Sequence, residues 1–385
     1  MATSHYTFSE DVQCIEARDG QSRCVVVGPR DLAHSAQVPG ARVNNDSIDD
    51  QIQSALKRTD AALAMVGSDL GRAVKLNFYI AEDRLAANVS AALTKRFNGM
   101  HQPAVSVVTS KLAWPDAMIA VDAVAIANQS TDSRPRPQPT SDPKSVAVGE
   151  PVRVLSVGPK IYISGQAEKG DGSVKDATKQ TMLSLDRTLS FLGLSKKDIV
   201  QVKCFVGPIS RSPKAAEAIV EFFGNSTVPP CAFVEWISSL PIEIELIVSG
   251  NSNPALRAGP AVEIRTPPGM TTPAVYSRLT ISRHPSTIYT SGLNPTDSTA
   301  APESQLRSVF SELKRSLDLS GSDWMHLVKA TYYVNDEALS KWHNTVRPDY
   351  FSPRRPPAAS KAMVRNVGRD GHGFMMDIIA VPGEP

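Results

Sequence analysis

Aromatic residues make up only 6% of this 385-residue chain, too thin a supply for a platform on which nucleic-acid bases stack. Neither sign of charge dominates: 41 Lys and Arg stand against 39 Asp and Glu, a net charge of +2. That balance exerts no long-range pull on nucleic acid or on an anionic membrane. The four cysteines, Cys14, Cys24, Cys204 and Cys231, form no C-x-x-C pair, which argues against a zinc ribbon or a thioredoxin-type motif. The seven histidines show neither H-x-x-x-H nor H-E-x-x-H spacing, so no metal site is expected. There is no P-loop and no G-x-S-x-G elbow, and no cofactor is expected. No run approaches the roughly 18 apolar residues that cross a bilayer. The opening M-A-T-S-H-Y-T-F-S-E-D lacks a basic stretch followed by an apolar one, which argues against a secretory leader. The expectation is a reduced, cytoplasmic protein that engages neither membrane nor nucleic acid.

What the chain does have is 41% hydrophobic residues and 29 prolines. The apolar content suffices for packed cores, and the prolines cluster. A stretch from Asn128 to Lys144, N-Q-S-T-D-S-R-P-R-P-Q-P-T-S-D-P-K, is nearly free of apolar residues and reads as an extended linker. A second stretch, Gly250 to Pro273, is rich in Pro, Gly, Ser and Thr but interrupted by Val262, Ile264 and Met270. The resulting division is a first unit at 1–128, a linker at 129–148, a second unit at 149–250, a linker at 251–272 and a third unit at 273–385.

The three units repeat one order. Each has a helix end, a polar turn and an alternating strand: M-V-G-S-D-L-G-R-A-V-K-L-N-F-Y-I, L-G-L-S-K-K-D-I-V-Q-V-K-C-F-V and L-D-L-S-G-S-D-W-M-H-L-V-K-A-T-Y-Y-V. Each strand carries one lysine, Lys75, Lys203 or Lys329, read as a solvated strand edge. An amphipathic helix precedes the turn, with Met182, Leu185, Leu189 and Leu192 or Leu306, Phe310, Leu313 and Leu317 at helical spacing. A second helix follows at 84–97, 213–223 and 337–350, and then two strands. Each unit opens with a hairpin-like pair, clearest at 152–157 with 160–164 and at 275–281 with 287–291. The pattern is β-β-α-β-α-β-β, an α+β layer whose uncovered sheet face needs a partner. Three units in one chain can supply it to one another around a pseudo-threefold axis. The G-R-D-G-H-G run at 368–373 lies between two strands and reads as a hairpin turn.

These segments carry a family resemblance. The second unit has I-Y-I-S-G-Q, E-F-F-G, P-P-C-A-F-V-E-W and L-P-I-E-I-E-L-I-V; the third has P-A-V-Y-S-R, I-Y-T-S-G, N-T-V-R-P-D-Y-F, P-P-A-A-S and M-M-D-I-I-A-V; the first has P-A-V-S-V-V and V-D-A-V-A-I-A. The chain resembles the RidA/YjgF family (imine/enamine deaminases, also known as L-PSP endoribonucleases), three times over. The resemblance implies a chorismate-mutase-like α+β fold, normally a homotrimer with ligand clefts between subunits. Here it implies an intrachain, monomeric pseudotrimer with three inequivalent clefts. The family hydrolyses reactive imines, using an arginine in P-A-R-S to hold the substrate carboxylate, a task suited to bidentate guanidinium geometry.

That arginine is absent from every copy. Its position is Val105 in the first and Ala359 in the third, and counting back from Leu240–Pro241 puts it at Ala232 in the second. An acid in the last strand is retained in type, as Asp122, Glu245 and Asp377. A carboxylate amid apolar neighbours needs a partner or a use, so these three are candidate catalytic groups, or else satisfied by backbone N–H groups or a lysine. The third unit keeps Tyr276, Ser291–Gly292 and Asn344; the second keeps Ser164–Gly165; the first has Val27–Gly28 at that place. Lys361 should share a strand face with Ala359, which makes it a candidate anion anchor near the lost guanidinium; the plainer reading is a lysine reaching solvent along its apolar stem. Two functions follow: an atypical hydrolase or deaminase acting on a small carboxylated imine, or a non-catalytic small-molecule binder on the same scaffold. An endoribonuclease fits the balanced charge less well. Fold alone does not choose among them.

Overall fold

The computed structural model describes residues 6–9, 11–40, 47–127, 148–369 and 371–383. Apart from Val148, the expected linker at 129–148 lies outside them. The first unit comprises β1 (Tyr6–Ser9), β2 (Val12–Ile15), β3 (Cys24–Val27), β4 (Leu32–Ser35), β5 (Val38–Pro39), α1 (Ile48–Ala64), β6 (Ala73–Ile80), α2 (Ala86–Phe97), β7 (Ala104–Thr109) and β8 (Ile119–Ile126). The second comprises β9 (Val152–Leu155), β10 (Lys160–Gln166), α3 (Val174–Phe191), β11 (Ile199–Val206), α4 (Ser212–Phe223), β12 (Cys231–Glu235) and β13 (Ile242–Ser249). The third comprises β14 (Val262–Arg265), β15 (Leu279–Ser282), β16 (Thr287–Thr290), α5 (Pro302–Leu319), β17 (Leu327–Val334), α6 (Glu337–Val346), β18 (Ala358–Met363) and β19 (Phe374–Ala380). This is an α+β fold of three RidA-like units. The stretch read as a linker at 251–272 contains β14, because Val262 and Ile264 alternate as a strand against β15.

Local chemistry explains the helices. In α3 the Ser173 hydroxyl accepts from the Asp176 N–H and caps the first turn. Met182, Leu185 and Leu189 then recur on one face and are fully buried, each contributing about 1.5–3 kcal/mol of apolar burial. In every unit the second helix links a parallel strand pair, β6/β7, β11/β12 or β17/β18, as a crossover must. The last strand of each unit runs antiparallel to the first member of that pair.

The expected opening hairpins do not form. β9 pairs with β4 of the first unit, whereas β10 pairs with β13 of its own unit and with β15 of the third. β16 in turn pairs with β3 of the first unit. Each unit therefore lends its entering strand to the preceding one, and the exchange closes in a cycle: second to first, third to second, first to third. The connection between β9 and β10 contains Gly158, at φ 142°, and Pro159, which turn the chain onto a different sheet. A strand has two edges, and pairing across units satisfies edges that a hairpin would leave open.

The three resulting sheets cover their outer faces with helices and turn their inner faces on one another. Tyr79, Phe205 and Tyr333, at equivalent positions of β6, β11 and β17, share one inner cluster with Val108, Val234 and Met375. A second inner cluster joins Val12, Val25, Leu32, Val74, Leu155, Val200 and Tyr289. The sheet face that needed a partner finds it within the chain.

Candidate functional site

Register sets the equivalences between units. Ile80, Val206 and Val334 stand opposite Ile119, Ile242 and Phe374. Counting back, Lys75 and Lys329 are equivalent to Gln201, and Lys203 to Asn77 and Thr331. The sequence alignment of the three lysines was thus two residues out in the second unit. The same register makes Cys231, rather than Ala232, the equivalent of Val105 and Ala359. None of the three is an arginine.

The lysines are not solvated edges. Lys75 Nζ lies 3.0 Å from Asp377 Oδ2 across the boundary between the first and third units, and donates to the Thr290 carbonyl (2.6 Å) and Ser106 Oγ (2.8 Å). Ser106 Oγ donates in turn to Asp377 (2.8 Å). Burial pushes the Lys75 pKa down, against the pull of Asp377. Lys329 Nζ repeats the arrangement with Glu245, at 2.9 Å, between the third and second units. Lys203 donates to the Tyr333 hydroxyl at 2.6 Å and sits 5.4–5.8 Å from the ring centres of Tyr79, Phe205 and Tyr333. Lys75 and Lys329, buried on interior strands that face another unit, find a carboxylate in place of water; the half-buried Lys203 finds a hydroxyl and three aromatic rings. Asp122 accepts from Asn77 Nδ2 (2.8 Å) and the Tyr79 hydroxyl (2.7 Å); burial raises its pKa while Lys203 and these donors oppose the rise.

The remaining expected residues fall into two clefts. Ser291 Oγ accepts from the Val105 N–H (2.7 Å) and donates to the Ser22 carbonyl (2.6 Å), and the Gly292 N–H donates to the Val105 carbonyl (2.9 Å). This is the third-to-first cleft. Ser164 Oγ accepts from the Ala359 N–H (2.7 Å) and donates to the Ser277 carbonyl (2.5 Å), and the Gly165 N–H donates to Ser360 Oγ (3.1 Å). This is the second-to-third cleft. In the first unit the matching bond comes from Gln37, whose N–H donates to the Cys231 carbonyl at 3.0 Å. The serine–glycine position there is therefore Ala36–Gln37, and the expectation of Val27–Gly28 fails because β3 belongs to the third unit's sheet.

Lys361 and Asp377 do not meet. Lys361 is paired in register with Tyr332, and Asp377 with Thr331, so they lie on opposite sheet faces. Lys361 does share its face with Ala359, as expected, and its Nζ reaches Ser340 Oγ (3.0 Å) and Asn344 Oδ1 (3.1 Å). Tyr276 packs against the third unit's core and under the Arg278 guanidinium, 5.4 Å from its ring centre.

A cavity of about 650 Å³ opens between the third and first units. Its wall includes Val89, Leu93, Val105, Val107 and Met375, with Ser291 and Gly292 at one side. Gly292 lets the Met375 side chain approach closely, because a Cβ would stand 2.4 Å from Met375 Sδ and displace it. The charged lining comprises Arg18, Arg23, Arg369, Glu16 and Glu312. Arg23 holds both acids, Nε to Glu16 at 2.5 Å and Nη1 to Glu312 at 2.7 Å, and Arg315 also pairs with Glu16. Among the described residues Arg18 and Arg369, both exposed, make no ion pair. The G-R-D-G-H-G turn thus brings a guanidinium to the cavity, which its motif did not indicate.

Sequence reasoning also missed Glu243. In I-E-I-E it shares a strand face with Glu245, and that period of two was the available signal. Burial, with Glu245 adding to it, raises the Glu243 pKa to about 8, against a hydrogen bond to Ser360. Its Oε1 has no hydrogen-bond partner and lies 2.1 Å from where a Cβ on Gly165 would be. Its equivalents are Ala120 and Met375, so only the second-to-third cleft has this acid. Among the described residues no group of three His, Cys, Asp or Glu could hold a metal ion.

Comparison with known proteins follows this threefold geometry. The family model described as Endoribonuclease L-PSP matches at 16–127, 143–249 and 269–381. A RutC family protein of Pyrococcus horikoshii is 28% identical over 111 residues, 26% of this chain and 86% of that protein. Among solved structures, a YjgF-family protein of Neisseria meningitidis is 25% identical with a TM-score of 0.24, over 26% of this chain and 82% of that one. A YjgF/YER057c/UK114-family protein of Mycobacterium tuberculosis is 25% identical with a TM-score of 0.22, over 26% and 82%.

Proposed function

The chain belongs to the Endoribonuclease L-PSP family, and from that premise we propose that it is a monomeric pseudotrimer that binds a small carboxylated metabolite between its third and first units. The observation that carries the reading is the cavity of about 650 Å³, whose two acids are both held by Arg23 while Arg18 and Arg369 stay available. An apolar wall with guanidinium groups at its edge suits a small organic acid. Binding is favoured over hydrolysis at this cleft because Asp377 is tied to Lys75 and Met375 occupies the position of Glu243. Calorimetric titration with pyruvate and with 2-oxobutanoate tests it. Wild type should bind, and Arg18→Gln/Arg369→Gln should bind at least about tenfold more weakly, the loss expected for a charge-assisted contact. Equal binding by the double variant, or none by wild type, would sink the reading.

A second reading rests on Glu243. A half-buried carboxyl near pKa 8 with one buried oxygen unpartnered is suited to give and take a proton near neutral pH. It would serve hydrolysis of a carboxylated imine in the second-to-third cleft. Hydrolytic activity that survives Glu243→Gln unchanged would eliminate it.

A further inference from the structure

The second unit's strand lysine stands two residues beyond its counterparts. Lys75 and Lys329 hold Asp377 and Glu245, whereas their equivalent, Gln201, donates to the Ser35 carbonyl at 3.2 Å. Lys203 instead occupies the place of Asn77 and Thr331. Its ammonium lies 5.4–5.8 Å from the ring centres of Tyr79, Phe205 and Tyr333. Those rings come one from each unit, so Lys203 sits where the three sheets converge, whereas each cleft lies between two units. Among the described residues Lys203 makes no ion pair, and it donates to the Tyr333 hydroxyl at 2.6 Å.

Room remains around it. Lys203 and Asn77 keep partial exposure although they face inward, and so do Ile247 and Ile379 of the inner clusters; the Asp377 side chain keeps 13%. Inward-facing side chains stay exposed only where packing leaves space. Charge around that space balances, Lys75, Lys203 and Lys329 against Asp122, Glu245 and Asp377, so an uncharged guest is favoured over an anion. The groups beside the amine can move protons. Burial, with Asp377, Glu245 and Asp122 adding to it, keeps the Tyr333 hydroxyl protonated and able to donate. Asp122 accepts from the Tyr79 hydroxyl (2.7 Å), and Lys203 leads the groups that oppose the rise in its pKa. An amine beside a phenol and a carboxylate in an enclosed space has the acid and the base that imine formation requires. The iminium so formed keeps the positive charge that the three rings already favour.

We propose that Lys203 forms a reversible imine with a small uncharged aldehyde at the junction of the three units, with Tyr333 and Asp122 passing the protons. Nζ bonds to the carbonyl carbon and the carbon–oxygen bond breaks. The oxygen leaves as water with two of the three ammonium protons, the third stays on the iminium, and nothing is oxidised or reduced. The test incubates the full chain at neutral pH with equimolar acetaldehyde and cyanoborohydride, which reduces the iminium to a stable ethyl-lysine, and locates the ethyl group by peptide mass mapping. Lys203 should carry the first ethyl group. Tyr333→Phe, which keeps a ring as Phe205 does at the equivalent place, should label Lys203 at least about tenfold more slowly. Lys203→Arg should lose the selective label and leave slow, scattered ones on exposed lysines. Scattered labelling of wild type with Lys203 spared overturns the proposal, as does labelling of Tyr333→Phe at the wild-type rate. Should a variant fail to fold, the wild-type map decides.

Discussion

Replacing Lys75 with Met should destabilise the whole chain rather than one unit. Lys75 is 3% exposed, and its ammonium joins the third unit to the first through Asp377, at 3.0 Å, and the Thr290 carbonyl, at 2.6 Å. Lys75→Met keeps the stem's packing but strands the Asp377 carboxylate, 13% exposed, with only the Ser106 hydroxyl. Removing one partner of a buried pair costs about 3–5 kcal/mol, whereas replacing both by apolar groups is often near neutral. Lys75→Met should therefore cost about 3–5 kcal/mol and Lys75→Met/Asp377→Leu markedly less. Urea denaturation followed by circular dichroism measures this as a shift in midpoint. The cyclic strand exchange ties the units together, so tryptophan fluorescence and circular dichroism should report the same transition. If the single variant costs under about 1 kcal/mol, the pair behaves as an exposed one and the reasoning fails. A double variant as unstable as the sum of its singles would refute it equally.

Acid should weaken the fold through His34, which is buried and has its pKa lowered by burial, against an opposing contact from Gln201, to about 4 from 6.5. The unfolded chain takes up the proton first, so stability is unaffected above pH 6.5 and falls as pH drops from there toward 4, by on the order of 3 kcal/mol in all. Urea midpoints between pH 7 and 4 for wild type and His34→Leu measure it, and an unchanged slope in the variant rules out His34 as the source. Sedimentation equilibrium should give one chain's mass, 41.4 kDa, because each unit already has both neighbours; a stable trimer of chains contradicts the pseudotrimer. Hydrolysis of iminopropanoate and iminobutanoate should be at least hundreds-fold slower than by an arginine-bearing relative, since a charge-assisted contact in the transition state is lost. Comparable turnover in a coupled assay would show that another group replaces the arginine.

Local pattern determined the element order. The spacing of Met182, Leu185 and Leu189 can bury only as a helix, and the alternation in V-K-A-T-Y-Y-V only as a strand; the same order three times made the repeat legible without any contact. The absence of arginine at the three cleft positions and the acids in the last strands were equally readable. Period also placed Lys361 with Ala359, and would have put it on the sheet face away from Asp377 had the register between β18 and β19, through β17, been known. Alternation says which face a residue takes, not which strand lies beside it. Only the tertiary structure decided that β9 leaves β10 for β4, that Lys75 buries its charge on Asp377, and that Arg369 reaches a cavity. Ser106 and Asp377 are 271 residues apart in sequence, and nothing within a short window of either names the other. The partner of a strand edge or of a buried charge is chosen by the free energy of the closed ring, in which every edge, apolar face and ion must be satisfied at once.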